Sequence, residues 1–139
     1  MENVLDIFRN FAFKKGYKIQ SLQEGRMSFE MGVWSLLFVY DYSKDSNFFQ
    51  ILLPNIDEID ICQDFQKISK MQSMNMCYKV GKIYIQGNAV HLSVEQFIYS
   101  VDDVERMFNR ILKILQDMYM DYYYAFSNFA KSKGNEASK

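Results

Sequence analysis

The sequence predicts an α+β fold built on an antiparallel sheet, in the order α-β-β-β-β-α-β-β-α, and three observations carry that prediction. Short apolar runs come in pairs joined by glycine-containing turns, which marks hairpins and argues against a wound parallel sheet. Apolar residues at helical spacing open and close the chain. A third helical stretch divides the strands into a set of four and a set of two.

The first helix is expected from Asn3 to Lys15, where Val4, Ile7, Phe8 and Phe11 recur at helical spacing and Asn3 suits an N-cap. Lys14 and Lys15 fit the last turn, and Gly16 fits the stop. Tyr17 to Gln23 and Arg26 to Met31 then read as a hairpin about Glu24-Gly25, with Met27, Phe29 and Met31 alternating against polar neighbours. VWSLLFVY and NFFQILLP follow, almost continuously apolar and separated by the polar loop Asp41 to Ser46. Such runs predict strands covered on both faces. Helices on one side would leave either Trp34, Leu36, Phe38 and Tyr40 or the alternate set Val33, Leu37 and Val39 to meet something else.

Pro54 ends the fourth strand in this reading, and Asn55 with Glu58 resembles a capping box opening a helix that runs to about Ser73. Its expected buried stripe is Ile61, Phe65, Ile68 and Met71. From Cys77 strand chemistry returns in Tyr78, Val80, Ile83, Tyr84 and Ile85. Gly87-Asn88 makes a two-residue turn, and Val90, Leu92 and Val94 alternate beyond it. Ser100 and Asp103 cap the last helix, which is expected to reach Ala130. Residues 1–130 are thus expected to form one domain, and Lys131 to Lys139 a disordered polar tail.

With 139 residues, 49% of them hydrophobic and 24% charged, the chain is long and apolar enough for a core without disulfides or metals. Sixteen basic side chains face 17 acidic ones, a scattered balance that argues against nucleic-acid binding. Glu2 and Asp6 interrupt what a signal peptide would need, and no apolar run approaches the ~20 residues of a membrane span. A soluble, cytoplasmic protein with no membrane partner is therefore expected. Cys62 and Cys77 lack metal-type spacing and are read as a reduced pair of core thiols.

No catalytic constellation is visible. His91, the only histidine, alternates opposite to Val90, Leu92 and Val94, where a solvated or hydrogen-bonded imidazole is expected. Ser35, Ser43 and Ser46 have no nearby histidine and no GxSxG elbow. Asp41 and Asp45 lack the glycine and glutamate of a calcium loop, and Asp57, Glu58 and Asp60 fit the first turn of the second helix. No glycine-rich phosphate cradle occurs. The expectation is a non-enzyme with no cofactor and no metal.

On the segments GVWSLLFVYDYSKDSNFFQILLPNI and GNAVHLSVE, together with the element order, the chain resembles the YbjN-like family of bacterial sensory transduction regulators, similar in fold to the type III secretion chaperones. The resemblance spans nearly the whole structured chain. It implies a non-enzymatic binding fold, typically homodimeric, that holds an unfolded segment of a client protein on exposed apolar patches. Chaperones of that class are commonly strongly acidic, whereas this chain carries a net charge of −1, so the resemblance implies a mode of binding without implying secretion.

The last helix supplies the candidate surface. At about 100° per residue, Val104, Met107, Phe108, Ile111, Leu115, Met118, Tyr122, Phe126 and Phe129 share one core-facing arc. Leu112 and Tyr119 flank it, Tyr123 sits at its margin, and Met120 and Tyr124 project among Arg106, Arg110, Lys113 and Asp117. Exposed tyrosines can be ordinary amphipathic surface. Tyrosine and methionine are also enriched in protein contacts. The expected partner-binding residues are Met120, Tyr123 and Tyr124, with Trp34 and Phe38 from the strands, in a homodimer that holds a protein or peptide client. The alternatives are a small-molecule sensor or enzyme with His91, Tyr78 or Tyr84 in a pocket, and a subunit stable only within a larger assembly.

Overall fold

The structure, a computed structural model, describes residues 4–23, 25–40 and 47–137, with side chains as far as 127. Helix α1 (Val4–Lys15) is followed by strands β1 (Lys18–Ser21), β2 (Arg26–Met31), β3 (Trp34–Val39) and β4 (Phe48–Glu58). Helix α2 (Phe65–Cys77), strands β5 (Gly81–Gln86) and β6 (Ala89–Phe97), and helix α3 (Val104–Ala137) complete the chain. All strand pairs are antiparallel, in the order β1-β2-β3-β4-β6-β5. The expected order of elements is the observed one; Asn3 and the loop Asp41 to Ser46 lie outside the described residues.

Local chemistry explains the joints. Gly16 takes a φ of 77°, its N–H bonds Phe13 O and the Tyr17 N–H bonds Ala12 O, which together close α1 as a Schellman motif. Gly32 follows Met31 at the first central position of the tight β2–β3 turn, with φ at 61° where a side chain would be strained. Gly87 does the same between β5 and β6, so the Gly-Asn hairpin forms as expected.

Phenylalanines join the layers. Phe8 of α1, Phe29 of β2, Phe38 of β3, Phe49 of β4 and Phe108 of α3 are all fully buried. Phe108 meets Phe8, Phe38 and Phe49 edge-on at centroid distances of 5.1, 5.7 and 5.3 Å. Helices α1 and α3 therefore share one face of the sheet. Of the residues at alternate positions, Leu37, Val39, Phe48, Gln50, Leu52 and Glu95 are half-buried, His91 and Ser93 are buried, and Phe97 is exposed. Strands β3 and β4 were expected to be covered on both faces; helices cover only one.

The middle of the chain differs from expectation. Asn55 and Glu58 do not open a helix, because β4 continues to Glu58 and α2 begins only at Phe65. Strand β6 provides the reason. After Leu53 pairs with Leu92, the next pair is Asp57 with Val90, so Pro54, Asn55 and Ile56 stand opposite His91 alone. Proline is tolerated at such a bulge because its missing N–H interrupts no ladder bond. Asn55 takes a φ of 56°, a left-handed conformation that asparagine accepts, and its N–H bonds His91 Nδ1 at 3.0 Å. Pairing with β6 thus overrides the capping signal. Asp57, Glu58 and Asp60 accordingly lie at the strand end and the following turn, where Asp60 accepts from the Cys62 N–H.

Displaced by that extension, α2 buries Met71 and half-buries Ile68, while Ile61 and Phe65 are exposed. It lies along β5, the sheet edge. The Asn75 amide donates to Ile83 O at 2.8 Å and accepts from Ile83 N–H at 2.7 Å, so one side chain satisfies both outward groups of an edge residue. The last helix starts at Val104 after a single 3₁₀ turn, Val101–Asp103, and not at Ser100. It continues through Ala137 where a polar tail was expected, since no proline interrupts it and one glycine, Gly134, costs only about 1 kcal/mol.

Candidate functional site

The side chains singled out on α3 stand in the open. Met120 is 57% exposed, Tyr123 58% and Tyr124 74%, whereas Val104, Phe108, Ile111, Leu112, Leu115, Met118, Tyr122 and Phe126 are buried. Helical geometry puts Met120 beside Tyr123 and Tyr124, three and four residues on. Trp34 is half-buried against α3, its ring 5.0 Å from that of Tyr119 and tilted by 59°. It therefore borders the aromatic stretch. Phe38 does not: it is fully buried beneath α1 and α3, which corrects its expected place on the contact surface. Of the two alternating sets on β3, helices cover the one containing Phe38, because Phe8 and Phe108 fill the space above it.

The sheet face opposite the helices adds a second apolar surface. Leu37 pairs with Leu52, and Phe48 pairs with Phe97 with ring centroids 5.5 Å apart. A polar string crosses between them, in which Gln50 Nε2 donates to Ser93 Oγ at 2.8 Å and to Glu95 Oε1 at 3.1 Å, and Lys82 pairs with Glu95. Mixed apolar and hydrogen-bonding composition is typical of surfaces that meet proteins.

Polar groups elsewhere serve structure. Tyr122 donates to Asp57 Oδ2 at 2.6 Å, and Lys67 approaches the same oxygen at 3.4 Å, which ties β4, α2 and α3 together. Burial, and then the Asp57 contact, push the Tyr122 phenol well above its ordinary range. Burial lowers the His91 pKa, and an imidazole accepting from Asn55 through Nδ1 is neutral there. Cys62 and Cys77 are exposed free thiols, not core residues, because one lies in the turn before α2 and the other ends a helix that buries little. Among the described residues no cluster of His, Cys, Asp and Glu could hold a metal ion, and no helix is long and apolar enough to cross a membrane.

The fold has a solved counterpart. The Yersinia pestis type III secretion chaperone SycH, in complex with a stable fragment of YscM2, matches 86% of this chain with 98% of its own at a TM-score of 0.62 and 13% sequence identity. The chain has the type III secretion chaperone fold. No family model matches it, so the YbjN-like resemblance has no further support, and no curated protein matches it either.

Sequence reading missed Phe97, Tyr99 and Phe13, which are exposed in the fold. Phe97 had a legible signal, since in SVEQF it alternates with His91, Ser93 and Glu95. Phe13 had one as well, since helical projection puts it opposite Val4, Ile7, Phe8 and Phe11; Tyr99 had none.

Proposed function

We propose that this protein is a non-enzymatic, chaperone-like binding module that acts as a homodimer and holds a segment of a partner protein on exposed apolar and aromatic surface. The observation that carries this reading is the type III secretion chaperone fold combined with an aromatic helix face and an apolar sheet face that no helix covers. In that neighbour the chaperone is in complex with a protein fragment. Met120, Tyr123 and Tyr124, with Trp34 at their border, are the proposed contact residues on α3. Leu37, Leu52, Phe48 and Phe97 extend the proposal to the sheet. The polar interruptions on that face suit backbone groups of an extended partner.

The test combines mass with partner capture. Light scattering across a dilution series is expected to give twice the chain mass, and capture from native lysate is expected to retain a specific protein that the Tyr123→Ser, Tyr124→Ser double variant releases. A strict monomer whose captured proteins are the same for both forms would end this reading.

A further inference from the structure

We propose that the trough between α3 and the segment joining α2 to β5 binds a free fatty carboxylate, its aliphatic tail lying along α3 and its head between Lys79 and Arg110. This proposal does not depend on partner binding.

The trough is apolar and of ligand size. Val80, Met107, Ile111 and Ile114 line a hollow of about 560 Å³, within the roughly 300–1,000 Å³ usual for small-ligand pockets. Its floor is closed by tight packing: a Cβ at Gly81 would lie 2.3 Å from the sulfur of buried Met118, so α3 is seated directly on the start of β5.

One bond decides between a small amphiphile and a polypeptide. Tyr78 lines this hollow and also a neighbouring one, which is bordered by Lys70, Met74 and Tyr124, and its hydroxyl donates to Asp121 Oδ2 on α3 at 3.2 Å. That bridge divides the trough. A polypeptide laid along α3 would have to break it, whereas an alkyl chain fits within the first compartment and leaves it intact.

Charge decides the head group. Lys79 and Arg110 are the charged residues lining the first compartment, and neither side chain forms an ion pair among the described residues. Two unpaired cations at an apolar hollow run against the net charge of −1 for the whole chain. Guanidinium and ammonium groups together suit a carboxylate, and a cationic ligand would be repelled.

The experiment is calorimetric titration of the delipidated protein with octanoate, decanoate and dodecanoate below their micellar concentrations, with dodecyltrimethylammonium as the cationic control. Expected are one ligand per chain, a Kd that tightens about fourfold per added methylene, and binding of the cation weaker by about tenfold or more. Lys79→Glu with Arg110→Glu is expected to weaken dodecanoate about tenfold or more, and Val80→Asp to weaken it further. All three positions are exposed, and an unchanged thermal transition verifies the fold of each variant. Should a variant fail to fold, a spin-labelled fatty acid on the native chain tests the same placement through broadening of the Val80 and Ile114 amide signals. Absence of saturable binding, affinity indifferent to chain length, equal affinity for the cation, binding unaffected by the charge reversals, or broadening elsewhere would each overturn the proposal.

Discussion

The ring of Phe8 lies flat on the ring of Phe38, with centroids 4.1 Å apart and 7° between their planes, so the first helix and the third strand meet face to face at the centre of the core. Both rings are fully buried, and Phe108 closes on each of them edge-on. Phe38→Ala is therefore expected to cost about 3–5 kcal/mol, the penalty of lost burial plus an unfilled cavity. Tyr124→Ser on the exposed side of α3 is expected to stay within about 0.5 kcal/mol of the native protein. Denaturant unfolding of the two variants, compared through their midpoints at constant slope, checks the contrast.

Asn75 joins α2 to the edge of the sheet through both amide atoms. Replacing it with alanine strands the N–H and C=O of Ile83 in a partly buried position, and about 1–3 kcal/mol of stability should be lost. Hydrogen exchange at the Ile83 amide should accelerate more than that of the Leu92 amide on the neighbouring strand. Equal acceleration of both would mean that Asn75 does not guard the edge.

His91 ties stability to pH through the bulge. Its folded-state pKa lies below the ordinary 6.5 because of burial, so the unfolded chain binds the extra proton first. Stability from this residue is complete above about pH 6.5 and falls as the pH drops from there toward the lowered folded-state value. Thermal midpoints measured from pH 8 to pH 5 should decline more steeply for the native protein than for His91→Gln, whose side chain does not titrate.

Tyr122 and Asp57 make the hydrogen bond that fastens the extended end of β4 to α3. Tyr122→Phe leaves the buried ring in place but removes the donor to a partly buried carboxylate, at an expected cost of about 1–3 kcal/mol. In a double-mutant cycle with Asp57→Asn, the two losses should be clearly less than additive. Strict additivity would separate the two residues.

Most of the periodic pattern was legible in the sequence. The arc of α3 from Val104 to Phe126, with Met107 half-buried and Phe129 outside the described side chains, the core residues of α1 and the Gly87-Asn88 hairpin stand where spacing placed them, since helical and strand periods act through near neighbours alone. The stretch from Pro54 to Asp64, ahead of α2, was not legible. Proline followed by Asn-x-x-Glu is a sound local helix signal, and it lost to pairing with Val90 and Ala89, residues more than thirty positions away.

The candidate surface divides along the same line. Exposure of Met120, Tyr123 and Tyr124 followed from projecting a helix whose apolar arc was already full. Whether Phe38 or its neighbours Leu37 and Val39 faced outward could not follow from alternation, which separates two faces of a strand without saying which one is covered.

By itself, then, the sequence determined the order of elements, the buried sides of α1 and α3 and the three exposed positions on α3, because these depend on local period. Only the tertiary structure decided that α1 and α3 share one face, that β4 outruns its proline, and that Tyr78 reaches Asp121 to divide the trough beside Lys79 and Arg110. Each of those depends on contacts between residues distant in the chain, and the free energy of such contacts exceeds the local preferences they override.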